Sequence, residues 1–129
     1  MAANPIPDHI RRFILKSIDS IAQLEALLLL RSRPQEKWSV EAVAKRLYIS
    51  DQETSDLLGR LSAEGFIRLE DNEPDLYQYQ PESAELDQVV DQVAEIYSKH
   101  LVPVTNLIHS KPRTRIQEFA DAFKLRKDE

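Results

Sequence analysis

The sequence predicts a single, mainly α-helical domain (residues 1–129) with a small β-hairpin. Along most of the chain, apolar residues recur every three or four positions, which is the period of an amphipathic helix. After Gly65 the period changes to two, and a polar stretch separates two alternating segments, as in a hairpin. Hydrophobic residues make up 42% of the 129 residues, which is enough to bury a core in a domain of ordinary size.

Two helices are predicted before Pro34. The first begins near Asp8, which we expect to cap it, and carries an apolar face of Ile10, Phe13, Ile14 and Ile18. Ser20 and Gln23 have the spacing of a capping box, in which each side chain satisfies a backbone N–H group at the start of a helix. The second helix then covers residues 21–33, and its wide apolar face predicts a central position in the core.

Two further helices are joined by a short turn at residues 48–50. Trp38 occupies the place of a very short strand, and Ser39 is expected to cap the helix that follows it. Ser50 and Glu53 form a second capping box and open a helix that runs to about Glu64. Two short amphipathic helices are therefore predicted to follow one another, with only three residues between them.

The hairpin follows directly after Gly65. This glycine is placed where a helix commonly ends in a left-handed residue. Residues 66–69 and 76–80 are predicted strands, and the polar residues 70–75 form the turn between them.

The remaining chain, residues 84–123, is predicted to be helical, with a kink or break at Pro103. Its apolar residues lie near the 3.5-residue period of coiled packing, so we expect a homodimer to form through these C-terminal helices. The alternative is that the same seam packs on the chain's own domain. A further capping box, Thr114 with Gln117, opens the last helix. The dimer candidates are Val90, Val93, Tyr97, Leu101, Val104, Ile116, Phe119 and Phe123.

The order helix, three-residue turn, helix, glycine and hairpin carries a resemblance to a known family. The matching segments are VEAVAKRLYIS at 40–50, the run ending LSAEGFI at 51–67, and YQYQP at 77–81. Together, residues 39–81 resemble the winged helix-turn-helix of bacterial MarR-like transcriptional regulators. The resemblance implies a transcriptional regulator that binds DNA as a dimer, with flanking helices at both ends.

In such proteins the second helix of the motif enters the major groove and the first lies near the DNA backbone. The resemblance implies that Gln52, Ser55 and Arg60 contact bases. It also implies that Lys45 and Arg46 hold phosphates. Arg68, at the base of the wing, completes the nucleic-acid-binding candidates.

The charge distribution favours a different function for the same module. The net charge is −5, and residues 69–98 contain nine acidic residues and no basic one. Affinity for DNA depends on Lys and Arg displacing counterions from phosphates. The second helix of the motif and the wing offer Arg60 and Arg68 against seven carboxylates, namely Asp51, Glu53, Asp56, Glu70, Asp71, Glu73 and Asp75. The alternative is therefore a protein-interaction adaptor that docks on a basic partner.

The basic C-terminal residues allow two interpretations, a solvated tail or a contact with nucleic acid or an acidic partner. These residues are Lys111, Arg113, Arg115, Lys124, Arg126 and Lys127.

No catalytic motif is recognisable in the sequence. Cysteine is absent, and Gly59 and Gly65 are the only glycines, which excludes thiol chemistry and a phosphate-binding glycine loop. His9, His100 and His109 do not have the spacing of metal ligands on one helix face. We expect no enzyme activity, no metal and no cofactor. The longest apolar run, residues 26–30, is too short to cross a membrane, so we expect a cytoplasmic protein.

Overall fold

A computed structural model describes residues 5–72 and 75–110. Within them the prediction of a mainly helical fold with a small hairpin is confirmed. Residues 101–110 are also helical. The helices are α1 (Asp8–Ser17), α2 (Ile21–Ser32), α3 (Val40–Leu47), α4 (Asp51–Ala63) and α5 (Ala84–Lys99), and the strands are β1 (Trp38–Ser39), β2 (Ile67–Leu69) and β3 (Leu76–Tyr79).

The strands form one antiparallel sheet in the order β1-β3-β2. In the β2–β3 hairpin, Ile67 is opposite Tyr79. The short strand at Trp38 adds to the other edge of β3, where Trp38 is opposite Tyr77. This edge contact fixes the start of α3 against the hairpin, because α3 begins directly after β1.

The core surrounds α2, as its wide apolar face predicts. Leu24, Leu27 and Leu30 of α2 have no exposed surface. Residues from α1, α4, α5 and the 101–110 helix join them, including Ile10, Ile14, Leu58, Leu61, Val90, Val93, Val104 and Ile108. α5 and the 101–110 helix therefore contribute to the same core as α2.

The predicted serine caps are present at three helix starts. Ser20, Ser39 and Ser50 each accept a hydrogen bond from the backbone N–H group three residues later. Each such bond satisfies a donor that the helix itself leaves unpaired, and its loss costs about 1 kcal/mol.

Two details at the first helices differ from the prediction. Asp8 lies within the first turn of α1, and Pro7 occupies the cap position without a side-chain hydrogen bond. The carboxamide of Gln23 accepts from the Asp19 N–H group at 2.7 Å, and it donates to the Ser17 carbonyl. It therefore ties the α1–α2 connection together.

The C-terminal helical region breaks at His100, three residues before the predicted position at Pro103. α5 ends at Lys99, and His100 has a non-helical φ of −133°. Pro103 lies in the first turn of the 101–110 helix. A proline is tolerated there because its missing N–H group would have no partner within the helix. Of the predicted C-terminal helices, residues 111–123, with the dimer candidates Ile116, Phe119 and Phe123, lie outside the described residues.

Candidate interaction surface

The α3–α4 turn is built around Tyr48. Its φ is +58°, which is left-handed, and its N–H group bonds the Ala44 carbonyl to close the end of α3. The left-handed region usually takes glycine, because a side chain costs roughly 1 kcal/mol or more there. The Tyr48 side chain is nevertheless 94% exposed, so no packing within the described chain compensates for this conformation.

α4 has one buried face and one exposed face. Thr54, Leu58 and Leu61 are buried, and the Thr54 hydroxyl donates to the Ser50 carbonyl at 2.8 Å. On the exposed face, Gln52 donates to the Asp56 carboxylate at 3.0 Å. The base-contacting candidates Gln52 and Ser55 are therefore exposed as predicted, with Asp56 bonded directly to one of them; Glu53 and Gly59 are also exposed.

Carboxylates hold both arginines of α4 and the hairpin. Arg60 pairs with Asp19, which lies in the α1–α2 connection. Arg68 pairs with Asp71 at 3.1 Å in the hairpin turn. Neither pair was predicted from the sequence, and Asp19 is 41 positions from Arg60. Two of the six nucleic-acid candidates therefore have their charge compensated within the chain.

Lys45 and Arg46 differ from these two arginines. Both are exposed in the last turn of α3, and neither has an ion-pair partner among residues 5–72 and 75–110. The Arg46 guanidinium lies 5.7 Å from the centroid of the Trp38 ring, within the range of a cation–π contact. The uncompensated positive charge of the α3–α4 unit is therefore at the end of α3.

The predicted dimer seam is divided between the core and the surface. Val90, Val93 and Val104 are fully buried within this chain, whereas Leu101 is 54% exposed. Val102, which was not among the candidates, is 64% exposed. The three valines already have their packing partners, as the alternative of a self-packed seam requires.

Polar contacts also attach α5 to its own domain. Tyr97 donates to Glu25 of α2 at 2.6 Å. Arg31 of α2 pairs with Asp91 at 2.8 Å. Two further bonds of this kind join Tyr79 to Asp87 and His9 to Gln92.

Burial and the neighbouring Glu25 carboxylate raise the pKa of Tyr97 to about 12. The unfolded side chain titrates near 10. The raised pKa belongs to the folded chain. The protonated Tyr97 therefore contributes its full stabilisation of the fold below about pH 10, and this stabilisation is lost as the pH rises towards about 12. We predict that Tyr97→Phe lowers the free energy of unfolding by about 1–2 kcal/mol at neutral pH, since the Glu25 carboxylate loses its donor.

Urea denaturation between pH 8 and about 11 would test this prediction. The free energy of unfolding of the natural chain should fall with pH more steeply than that of Tyr97→Phe. Equal slopes for the two chains would show that the Tyr97–Glu25 bond does not contribute to stability.

A cleft of about 390 Å³ lies between α1, the end of α4 and the start of α5. Lys16 is its one lysine among several carboxylates, and Phe13 and Phe66 line its apolar side. The cleft was not predicted from the sequence, because its residues come from separate elements. No group of three His, Asp or Glu residues that could hold a metal ion occurs in the described ranges. No helix in those ranges has the length and hydropathy needed to cross a membrane.

Comparisons with known proteins found no match to this chain. No protein-family model matches the chain, and neither a curated protein nor a solved structure is significantly similar to it.

Proposed function

We propose that this chain is a winged-helix regulatory protein that binds a partner protein, and not DNA, through α4 and the β2–β3 hairpin. The observation that carries the proposal is that Arg60 and Arg68 are both held by carboxylates. The proposed role is binding, without a reaction or a cofactor. We call the binding surface the acidic face; it consists of the exposed residues Asp51, Glu53, Asp56, Asp71 and Asp75.

The two arginines contribute little net positive charge to this surface. Asp19 lies beside Arg60 and Asp71 lies beside Arg68, so each carboxylate compensates the charge that a phosphate would otherwise meet. The acidic face would in addition repel the phosphates. A basic protein surface would be attracted instead, because the acidic face presents five exposed carboxylates and only Asp71 among them forms an ion pair within the described residues.

A second candidate function is that of a DNA-binding dimer of the MarR-like kind. Lys45 and Arg46 favour it, because both are exposed and have no ion-pair partner in the part of the chain that the structure describes, and the first helix of the motif lies near the DNA backbone in such complexes. This candidate would place the phosphate contacts at the end of α3 alone.

Fluorescence anisotropy with labelled, mixed-sequence duplex DNA separates the two candidates. We predict no binding at low salt with protein at about 10 µM, a range in which many DNA-binding proteins already show non-specific affinity. Binding that weakens steeply as salt rises would support the second candidate and contradict the proposal.

A labelled arginine-rich helical peptide tests the positive part of the proposal. We expect the natural chain to bind this peptide at low salt. The double variant Glu53→Gln with Asp56→Asn should bind it several-fold more weakly. The matched control neutralises two exposed carboxylates elsewhere, Asp8→Asn with Glu85→Gln. Equal losses in the two variants would show that overall charge, and not the acidic face, attracts the peptide.

A further inference from the structure

We propose that a second copy of this chain binds at the α3–α4 turn, with the two copies related by a twofold axis beside Tyr48. The turn presents an exposed aromatic ring with positive charge on one side and negative charge on the other. The proposal does not depend on the identity of the partner in the proposed function.

Tyr48 supplies the centre of this contact. With 94% of its side chain exposed, it offers a large ring with a hydroxyl group at its tip. Tyrosine is among the residues that most often dominate protein interfaces. Glycine would fit the left-handed backbone at +58° at lower cost, and a side chain kept in such a conformation points to a role outside folding.

The charges around Tyr48 are arranged so that the surface is complementary to itself. Lys45 and Arg46 precede it at the end of α3, and Asp51 and Glu53 follow it in the first turn of α4. All four are exposed. A twofold interface brings a surface against its own reversed copy. The positive side of one copy then meets the negative side of the other, twice.

Other occupants match only half of this surface. Duplex DNA would be attracted by Lys45 and Arg46 and repelled by the two carboxylates Asp51 and Glu53. A purely basic peptide would be attracted by the carboxylates and repelled by the two basic residues. The four charges also complement the dipoles of α3 and α4, but that effect does not call for an exposed tyrosine between them. A second copy of the chain satisfies both charges and the ring.

The proposed contact leaves the rest of the acidic face open. Ala63, at the far end of α4, lies about 18 Å along the helix from Asp51, and the hairpin follows it. A dimer centred on Tyr48 therefore covers the start of α4, which a DNA-binding protein would need to expose. It leaves Asp71 and Asp75 for another partner.

The patch is small, so the dimer should be weak and sensitive to salt. Its few side chains would bury less surface than the roughly 800 Å² that each partner buries in a standard interface. We expect sedimentation equilibrium at low salt to give a mass that rises above the 14.9 kDa of one chain at about 100 µM. Raising the salt to about 0.5 M should shift the chain back to the monomer.

Charge reversal provides the decisive test. One variant carries Lys45→Glu with Arg46→Glu, and the other carries Asp51→Lys with Glu53→Lys. Each should associate with itself at least tenfold more weakly than the natural chain, because like charges then meet. An equimolar mixture should recover dimers, since the two surfaces become fully complementary.

Variants at Tyr48 test the ring separately. Tyr48→Ala and Tyr48→Gly should each weaken dimerisation at least tenfold, while the melting temperature of Tyr48→Gly should equal or exceed that of the natural chain. Asp8→Lys with Glu85→Lys, away from the turn, should leave dimerisation unchanged. A natural chain that stays monomeric at low salt, a mixture of charge variants that fails to associate, or Tyr48 variants that dimerise normally would each overturn the proposal. Asp51 and Glu53 belong both to the acidic face and to this contact, whereas Tyr48 belongs to the contact alone. Tyr48 variants that lose dimerisation but still bind the peptide would therefore separate this proposal from the proposed function.

Discussion

A chain in which Glu53 and Asp56 are both replaced by lysine is expected to bind mixed-sequence duplex DNA at least about tenfold more tightly than the natural chain at low salt. Both carboxylates are exposed on α4, and Arg60, the one arginine of this helix, is held by Asp19. The double substitution removes two negative charges from the exposed face of α4 and adds two positive ones. It therefore reverses the charge at two positions of this face and leaves Asp51 as the acidic residue of α4.

The salt dependence gives this prediction a second measurement. Each new phosphate contact should steepen the plot of log affinity against log salt by about 0.9, so the slope should increase by up to about two. The matched control, Asp8→Lys with Glu85→Lys, changes the net charge equally on α1 and α5. Equal DNA affinity for the two variants would contradict a specific role of α4, since net charge alone would then explain binding.

Local signals in the sequence were sufficient for most of the elements. Ser20, Ser39 and Ser50 each have the residue type and position of a helix cap, and each accepts the expected N–H group. Gly65 has the predicted left-handed conformation, with φ of +86°. Such features depend on residues within one helical turn, so their signals are contained in a short segment of sequence.

Contacts between distant parts of the chain were not predictable in this way. The pairing of Arg60 with Asp19 depends on how α4 packs beside the α1–α2 connection, which no periodicity encodes. The spacing of Val90, Val93 and Val104 predicted an apolar face but could not decide what covers it. In the structure, that face is buried in the chain's own core.

Two backbone features fall on residue types that do not usually mark them. Tyr48 is left-handed although it is neither glycine nor asparagine, and the helical break falls at His100 although Pro103 is the residue that lacks an N–H group. Sequence signals identify residues that permit a conformation, whereas the folded chain can also impose one on an ordinary residue. Positions where this occurs on an exposed surface are candidates for function, and Tyr48 is such a position.

The largest expected loss of stability follows the replacement of Phe66 by alanine. Phe66 is 1% exposed and lies between the end of α4 and the start of β2. Its ring meets that of Phe13 of α1 edge to face, with centroids 5.8 Å apart. We predict that Phe66→Ala lowers the free energy of unfolding by about 3–5 kcal/mol, through lost burial and the cavity that remains.

Leu69→Ala is the matched control, because Leu69 is also apolar and close in sequence but 39% exposed. Its expected loss is below about 1 kcal/mol. Urea denaturation of the two variants at neutral pH would measure the difference. Similar losses would contradict the position of Phe66 in the core. A much larger loss for Phe66→Ala would agree with the prediction, because Phe66 is buried where α4 meets the β2–β3 hairpin, the two elements that carry the acidic face.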